Sequence, residues 1–167
     1  MGLKNLRHFV WGLAFVATLY GAYVLASVNK ATPEKEQNVA LIGGSFALIN
    51  QDGKPTTNKD FEGKLMLVFF GFTHCPTICP PAVATMAESI KGMTDVNAIM
   101  ITVDPERDAP AVMKEFLSQF DAPITGLTGS RADIAKLLAA YKVYATKVDD
   151  ASQPNGYILD HSGIIYL

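Results

Sequence analysis

The stretch "KLMLVFFGFTHCPTICPPAVATMAESIKG", residues 64 to 92, constrains the fold of this chain more than any other. Residues 64–72 form a continuous apolar run without polar alternation, the pattern of a strand buried on both faces. The run ends in a short loop that holds both cysteines, Cys75 and Cys79. A helix follows, with proline confined to its first turn, where a missing N–H costs nothing, and Gly92 as a stop. A strand covered on both faces needs helices above and below it, so the rest of the chain must supply them.

It does so by alternation. "SFALINQDGKPTT" places Asp52-Gly53 after a short apolar run, a tight-turn signal. "NAIMITVD" (97–104) is a second buried strand. Asp108 is placed to cap the helix "APAVMKEFLSQF", with Val112, Phe116 and Phe120 on one face. "ITGLTG" is a short extended piece. Ser130 and Asp133 resemble a capping box for a helix whose apolar face is Ile134, Leu137, Leu138 and Tyr141. "GYILD" and "GIIYL" close the chain as strand-like runs around His161 and Ser162. The order β, β, α, β, α, short strand, α, β, β predicts a mixed α/β sheet flanked by helices. A strand that delivers two cysteines to a helix start makes the arrangement thioredoxin-like.

Part of the 49% hydrophobic content lies outside that domain. Residues 9–28, "FVWGLAFVATLYGAYVLASV", are twenty residues without a charge, long enough to cross a bilayer core as one transmembrane helix. Lys4 and Arg7 precede the run, which favours a cytoplasmic N-terminus, although Lys30 and Lys35 weaken the asymmetry. "VLA" ending at Ala26 is a cleavage site for the alternative, a signal peptide, but the run is long for one. The expected organisation is a membrane anchor over 1–28, a polar tether over 29–40 and a domain over 41–167. The expected location is a bacterial inner membrane, with a single pass and the domain in the periplasm. Beyond residue 28 there are 12 basic and 16 acidic residues, 12 − 16 = −4, without a basic stripe. That charge pattern argues against a nucleic-acid partner.

Three residues separate the thiols, one more than in an ordinary dithiol loop. A disulfide there would close so small a loop that it would gain little as a staple. Thiolates at a helix N-terminus are stabilised by unpaired N–H groups, and serve as nucleophiles or as ligands for soft metals. The wider spacing leaves room for an ion between the sulfurs. Two thiolates and an imidazole make a site suited to Cu(I), able to hold Cu(II) with a further ligand; zinc wants a fourth donor. His8 lies at the membrane edge. His74 adjoins Cys75, and neighbours on an extended chain point apart. His161 is the best candidate by placement, on a strand of the same sheet returning beside the loop.

In order along the chain, "FFGFTHCPTICP", "VDPERD", "GLTGS", "YKVY" and "YILDHSGIIYL" resemble the Sco/SenC family of copper-binding, membrane-anchored thioredoxin-like proteins. The resemblance spans residues 40–167. It implies that Cys75, Cys79 and His161 are the ligands of one copper ion per domain. It implies delivery of copper to, or reduction of the thiols of, the binuclear copper site on subunit II of cytochrome c oxidase, or delivery to another periplasmic copper protein. Asp104 belongs to the family's run near the site, where it either orients a ligand or partner or simply forms a turn; Arg107 and Asp108 read as ion-pair and cap residues. Family members continue past "IIYL" through a further strand and a C-terminal helix, so the resemblance predicts that both are missing here.

Two functions from different classes therefore compete: a copper metallochaperone, and a thiol-disulfide oxidoreductase in which Cys75 attacks and Cys79 resolves. His161 is needed by the first and dispensable to the second. A peroxidase of peroxiredoxin type is a poorer match, because Phe72 and Pro76 stand where a threonine would precede the reactive cysteine.

Overall fold

The computed structural model describes residues 3–30 and 42–167, which fall into two compact units, Met1–Ala40 and Leu41–Leu167. Helix α1 (Leu3–Lys30) makes up the described part of the first. The expected membrane-crossing segment, residues 9–28, falls within this helix. The segment is helical, but among the described residues no helix is long and apolar enough to cross a membrane. Most of the tether, residues 31–40, lies outside the described residues.

In the second unit, β1 (Ala47–Asn50) and β2 (Pro55–Thr57) form the predicted hairpin. Its turn is closed by Asn50, whose side-chain oxygen accepts from the Asp52 and Lys54 N–H groups, while Gly53 takes a positive φ of 76°. Strand β3 (Leu65–Gly71) leads to α2 (Cys79–Ser89), β4 (Val96–Thr102), α3 (Pro110–Leu117), β5 (Ile124–Thr128) and α4 (Arg131–Tyr141). The chain ends with β6 (Ala145–Asp149), β7 (Tyr157–His161) and β8 (Ile165–Tyr166). Six strands form one sheet in the order β2-β1-β5-β4-β3-β8. β4 runs parallel to both β3 and β5, while β8 and β1 add antiparallel strands outside them. This is the mixed sheet that the alternating pattern predicts.

The central strands read as apolar runs because helices cover them. Phe69, Phe70, Ile99, Met100 and Ile101 are all fully buried. Gly126 in β5 is the close-approach point for α3: a Cβ there would lie 2.6 Å from Leu117 Cδ1 and 3.1 Å from Met113 Cε. That contact sets the rotation of α3, so Met113, Phe116 and Leu117 are its buried residues, and the expected stripe through Val112 is displaced by one position. At α4 the expected cap holds: Ser130 Oγ accepts from the Asp133 N–H at 3.1 Å.

Two expectations fail, both near the site. Asp108 does not cap α3, whose N-cap is Ala109 without a side-chain bond. Nor does the strand carrying His161 belong to the main sheet. β7 pairs only with β6, antiparallel, in a separate two-stranded sheet running from Ala145↔His161 to Asp149↔Tyr157.

Candidate metal centre

The cysteine loop is held from both ends. β3 stops at Gly71, and Phe72 is fully buried immediately after it. The Cys75 N–H then donates to the Phe72 carbonyl, turning the chain toward α2. Cys79 is the first residue of α2, and Pro80 and Pro81 follow it. A helix start leaves four N–H groups unpaired by the helix. Here those four positions are Ile78 to Pro81; Pro80 and Pro81 have no N–H, and the helical ladder begins with the Ala82 N–H on the Ile78 carbonyl. The Cys79 N–H donates to Cys75 Sγ at 3.4 Å. The first residue of the helix thus aims its N–H at a sulfur.

That geometry splits the two thiols. The Cys79 thiol, donating to Cys75, holds the Cys75 thiol well below the ordinary thiol range; burial opposes this, and His161 and the backbone N–H groups of Cys79 and Thr77 add to it. The same hydrogen bond, with burial, drives Cys79 far up. The two shifts run in opposite directions, which favours ionisation of Cys75 over Cys79.

His161 completes the cluster. Its Nε2 lies 3.5 Å from Cys79 Sγ, although 82 residues separate the two in sequence. Its Nδ1 lies 3.0 Å from the Ser162 carbonyl. A carbonyl can only accept, so Nδ1 donates to it, and Nε2 is the ring atom turned toward the sulfurs. The rings of Phe72 and Phe69 stand edge-on to the imidazole, at centroid distances of 5.5 and 6.3 Å. Cys75, Cys79 and His161 are all buried, and their donor atoms lie within 4.8 Å of one another. Two sulfurs and one imidazole nitrogen so placed form a soft, three-donor set, which fits Cu(I) better than a hard cation.

His74 points elsewhere. Its Nδ1 meets Thr73 Oγ1 at 3.0 Å and lies 3.7 Å from Asp108. Asp160 is exposed, on the face of β7 opposite His161. The run 104–108, weighed in the sequence as turn or orienter, is packed against the cluster's supports. Asp108 is buried; it accepts from Thr73 Oγ1 and Thr102 Oγ1, each at 2.6 Å, and from the Thr73 N–H at 3.1 Å. Burial raises its carboxyl above the ordinary value, against the pull of those donors. Asp104 pairs with Arg107, both side chains nearly inaccessible.

One residue at the site went unnoticed in the sequence. A Cβ on Gly71 would lie 2.5 Å from the Phe69 ring and 3.0 Å from Cys79 Sγ. The available signal was a glycine inside a strand pattern, which marks close approach of another group.

Comparison with known proteins identifies the family. The family model described as SCO1/SenC matches residues 34–167. The chain belongs to the SCO1/SenC family. A SCO2-like protein of Rickettsia felis is 39% identical over 158 residues, covering 87% of this chain and 76% of that one. Among solved structures, ScoI of Bradyrhizobium japonicum with copper bound is 47% identical, with a TM-score of 0.70, covering 75% of this chain and 81% of that one. BsSco, described as a member of the Sco family of cytochrome c oxidase assembly proteins and as having a disulfide switch, is 28% identical, with a TM-score of 0.54. It is matched over 74% of this chain and 83% of that one. The chain spans 39% to 61% of the length of the mitochondrial relatives it matches.

Proposed function

We propose that this Sco-family protein is a copper metallochaperone. Cys75, Cys79 and His161 hold one copper ion and pass it to a partner, the binuclear copper site on subunit II of cytochrome c oxidase or another periplasmic copper protein. The single observation that carries the reading is the convergence of Nε2 of His161 on a cysteine pair 82 residues away. A dithiol reductase has no use for that nitrogen, whereas a copper site does. The copper-bound Bradyrhizobium relative supports the choice of metal. Three donors leave the ion under-coordinated, so an incoming thiolate or imidazole can add before a resident donor leaves.

The reductase reading keeps one observation in its favour, the thiolate–thiol pair itself. Cys75 would attack one sulfur of a partner disulfide and expel the other as a thiolate. Cys79, losing its proton to that leaving group, would then close a Cys75–Cys79 disulfide and free a reduced partner dithiol. Residues 9–28 attach the domain to a bacterial inner membrane, with residues 29–40 as tether and the 41–167 domain in the periplasm. The uncharged twenty-residue run supports that, as do the exposed Trp11, Phe15, Leu19 and Tyr23 of α1.

Titration of the full chain with Cu(I) against a chromophoric chelator tests the choice. The chaperone reading predicts that His161→Ala binds copper more weakly while dithiol reduction of a model disulfide persists. Unchanged copper affinity in His161→Ala would leave the reductase as the function.

A further inference from the structure

The donor set is split between two parts of the fold: Cys75 stands in the loop between β3 and α2 and Cys79 at the start of α2, while His161 stands on the β6–β7 hairpin, which has no ladder to the main sheet. The chain after His161 is tied to β3 through β8, so the body of the hairpin before His161 is left to side-chain contacts. β7 places Tyr157, Leu159 and His161 on one face, since alternate residues of a strand share a side. Leu159 and His161 are buried, and Tyr157, four residues before the histidine, meets the 104–108 loop.

That meeting is dense. Arg107 Nη1 donates to the Tyr157 carbonyl at 3.1 Å, and the guanidinium lies 3.9 Å from the centroid of the Tyr157 ring. The Tyr157 hydroxyl donates to Asp104 Oδ1 at 2.9 Å, and Arg107 Nε donates to the same carboxylate. The other side of the guanidinium faces the Phe72 ring at 5.8 Å, and Phe72 in turn packs edge-on against the His161 imidazole. One side chain therefore touches the root of the hairpin and the aromatic ring between itself and the histidine. Five-donor, planar and permanently charged, Arg can do both at once; Lys cannot. Glu106 adds an outer clasp: it pairs with Lys147 of β6, whose Nζ lies 4.2 Å from the Tyr157 ring. That pair is exposed, so it contributes little.

We propose that Arg107, held by Asp104 and acting through Tyr157 and Phe72, is a positioning residue that sets where His161 stands relative to the cysteine pair. This rests on the reading of His161 as a copper donor. Its consequence is thermodynamic: removing the brace should matter only while the histidine is there to be placed.

The test is a double-mutant cycle on the full chain, read as Cu(I) affinity by chelator competition. Arg107→Leu and Tyr157→Leu are each made with His161 present and in His161→Ala. With His161 present, each should weaken Cu(I) binding by about 10- to 100-fold, the range for groups that orient a ligand. In His161→Ala neither should weaken it further. Tyr157→Phe, which keeps the ring over Arg107, should restore most of the affinity, and Glu106→Gln should change it less than twofold. If Arg107→Leu does not fold, the half-buried Tyr157 carries the same prediction alone. Equal losses in both backgrounds, or none in either, overturn the proposal. Unchanged affinity in His161→Ala alone sinks the donor reading instead. Amide exchange of apo protein then still decides whether Arg107 fixes the hairpin: exchange over 158–161 should speed up at least tenfold in Tyr157→Leu, with α2 unaffected, and equal rates would overturn it.

Discussion

The cysteine loop and the histidine hairpin supply donors to one cluster, but they are built by different means. The loop is the continuation of a central strand into a helix, so backbone hydrogen bonds and a fully buried core place Cys75 and Cys79. The hairpin is a two-stranded ribbon, and such a ribbon has marginal stability by itself. Before His161 its place depends on side chains, Leu159 in the core and Tyr157 on the Arg107–Asp104 pair, and after it on the pairing of β8 with β3. The difference teaches where the site can yield. The cysteine end is held by the central strand and helix, and the histidine end by β8 on one side and by the Arg107–Asp104 pair on the other.

The sharpest way to break that contrast is to remove the ion pair. Arg107→Leu leaves the Asp104 carboxylate buried and uncompensated, and breaking a buried pair in this way costs about 3–5 kcal/mol. Urea unfolding of apo protein should show that loss, and Arg107→Leu,Asp104→Asn should recover part of it. A single-variant loss below about 1 kcal/mol, the range of exposed pairs, would mean the brace is ornamental.

Gly71→Ala probes the other end. The added methyl meets the Phe69 ring and Cys79 Sγ inside a packed core, and overpacking of this kind costs about 1–3 kcal/mol. Unlike the Arg107 change, it should also disturb copper binding in His161→Ala, because it displaces a cysteine.

Ultraviolet thiolate absorption of apo protein gives a third test. With Cys75 lowered and Cys79 raised, one thiolate should be present at pH 6 and no second should appear through pH 9. Two thiols titrating near about 8.5 would contradict the opposed shifts. Cys79→Ala removes the donor responsible, so its Cys75 should titrate at higher pH.

The smallest effect concerns Asp108. Its folded carboxyl is raised by burial, so the folded protein keeps that proton to higher pH than the unfolded chain does. The stability it contributes is full below the ordinary value of 3.8 and drains as pH rises through the raised folded value. Asp108→Asn should remove this downward slope, seen as urea midpoints that fall less between pH 3 and pH 6 than in wild type. An unchanged slope would assign it to other groups.

Most of the cysteine end was legible in the sequence, and little of the hairpin was. An unbroken apolar run, two cysteines and two prolines give strand, loop and helix from local chemistry alone. β6 is "ATKVD", four of whose five residues are exposed, so it shows no apolar alternation; β7, its pairing partner, makes it a strand. His161 was picked by its expected placement opposite the loop and does lie against Cys79, yet on a strand assigned to the wrong sheet. Asp108 looked like a cap because it stands before Ala-Pro at a helix start. Its partner Thr73 lies 35 residues away, a relation that local spacing does not encode. Tyr157 carried no signal, since a lone aromatic at a strand start is ordinary packing until Arg107 is seen against it.

Metal analysis with absorption spectroscopy of the copper-loaded full chain tests the central claim most directly. The three-donor site predicts one copper per chain and a thiolate-to-Cu(II) charge-transfer band. That band should disappear in Cys75→Ser and shift in His161→Ala. A band absent from wild type, together with sub-stoichiometric Cu(I) binding, would contradict the claim and leave the cysteine pair to thiol chemistry.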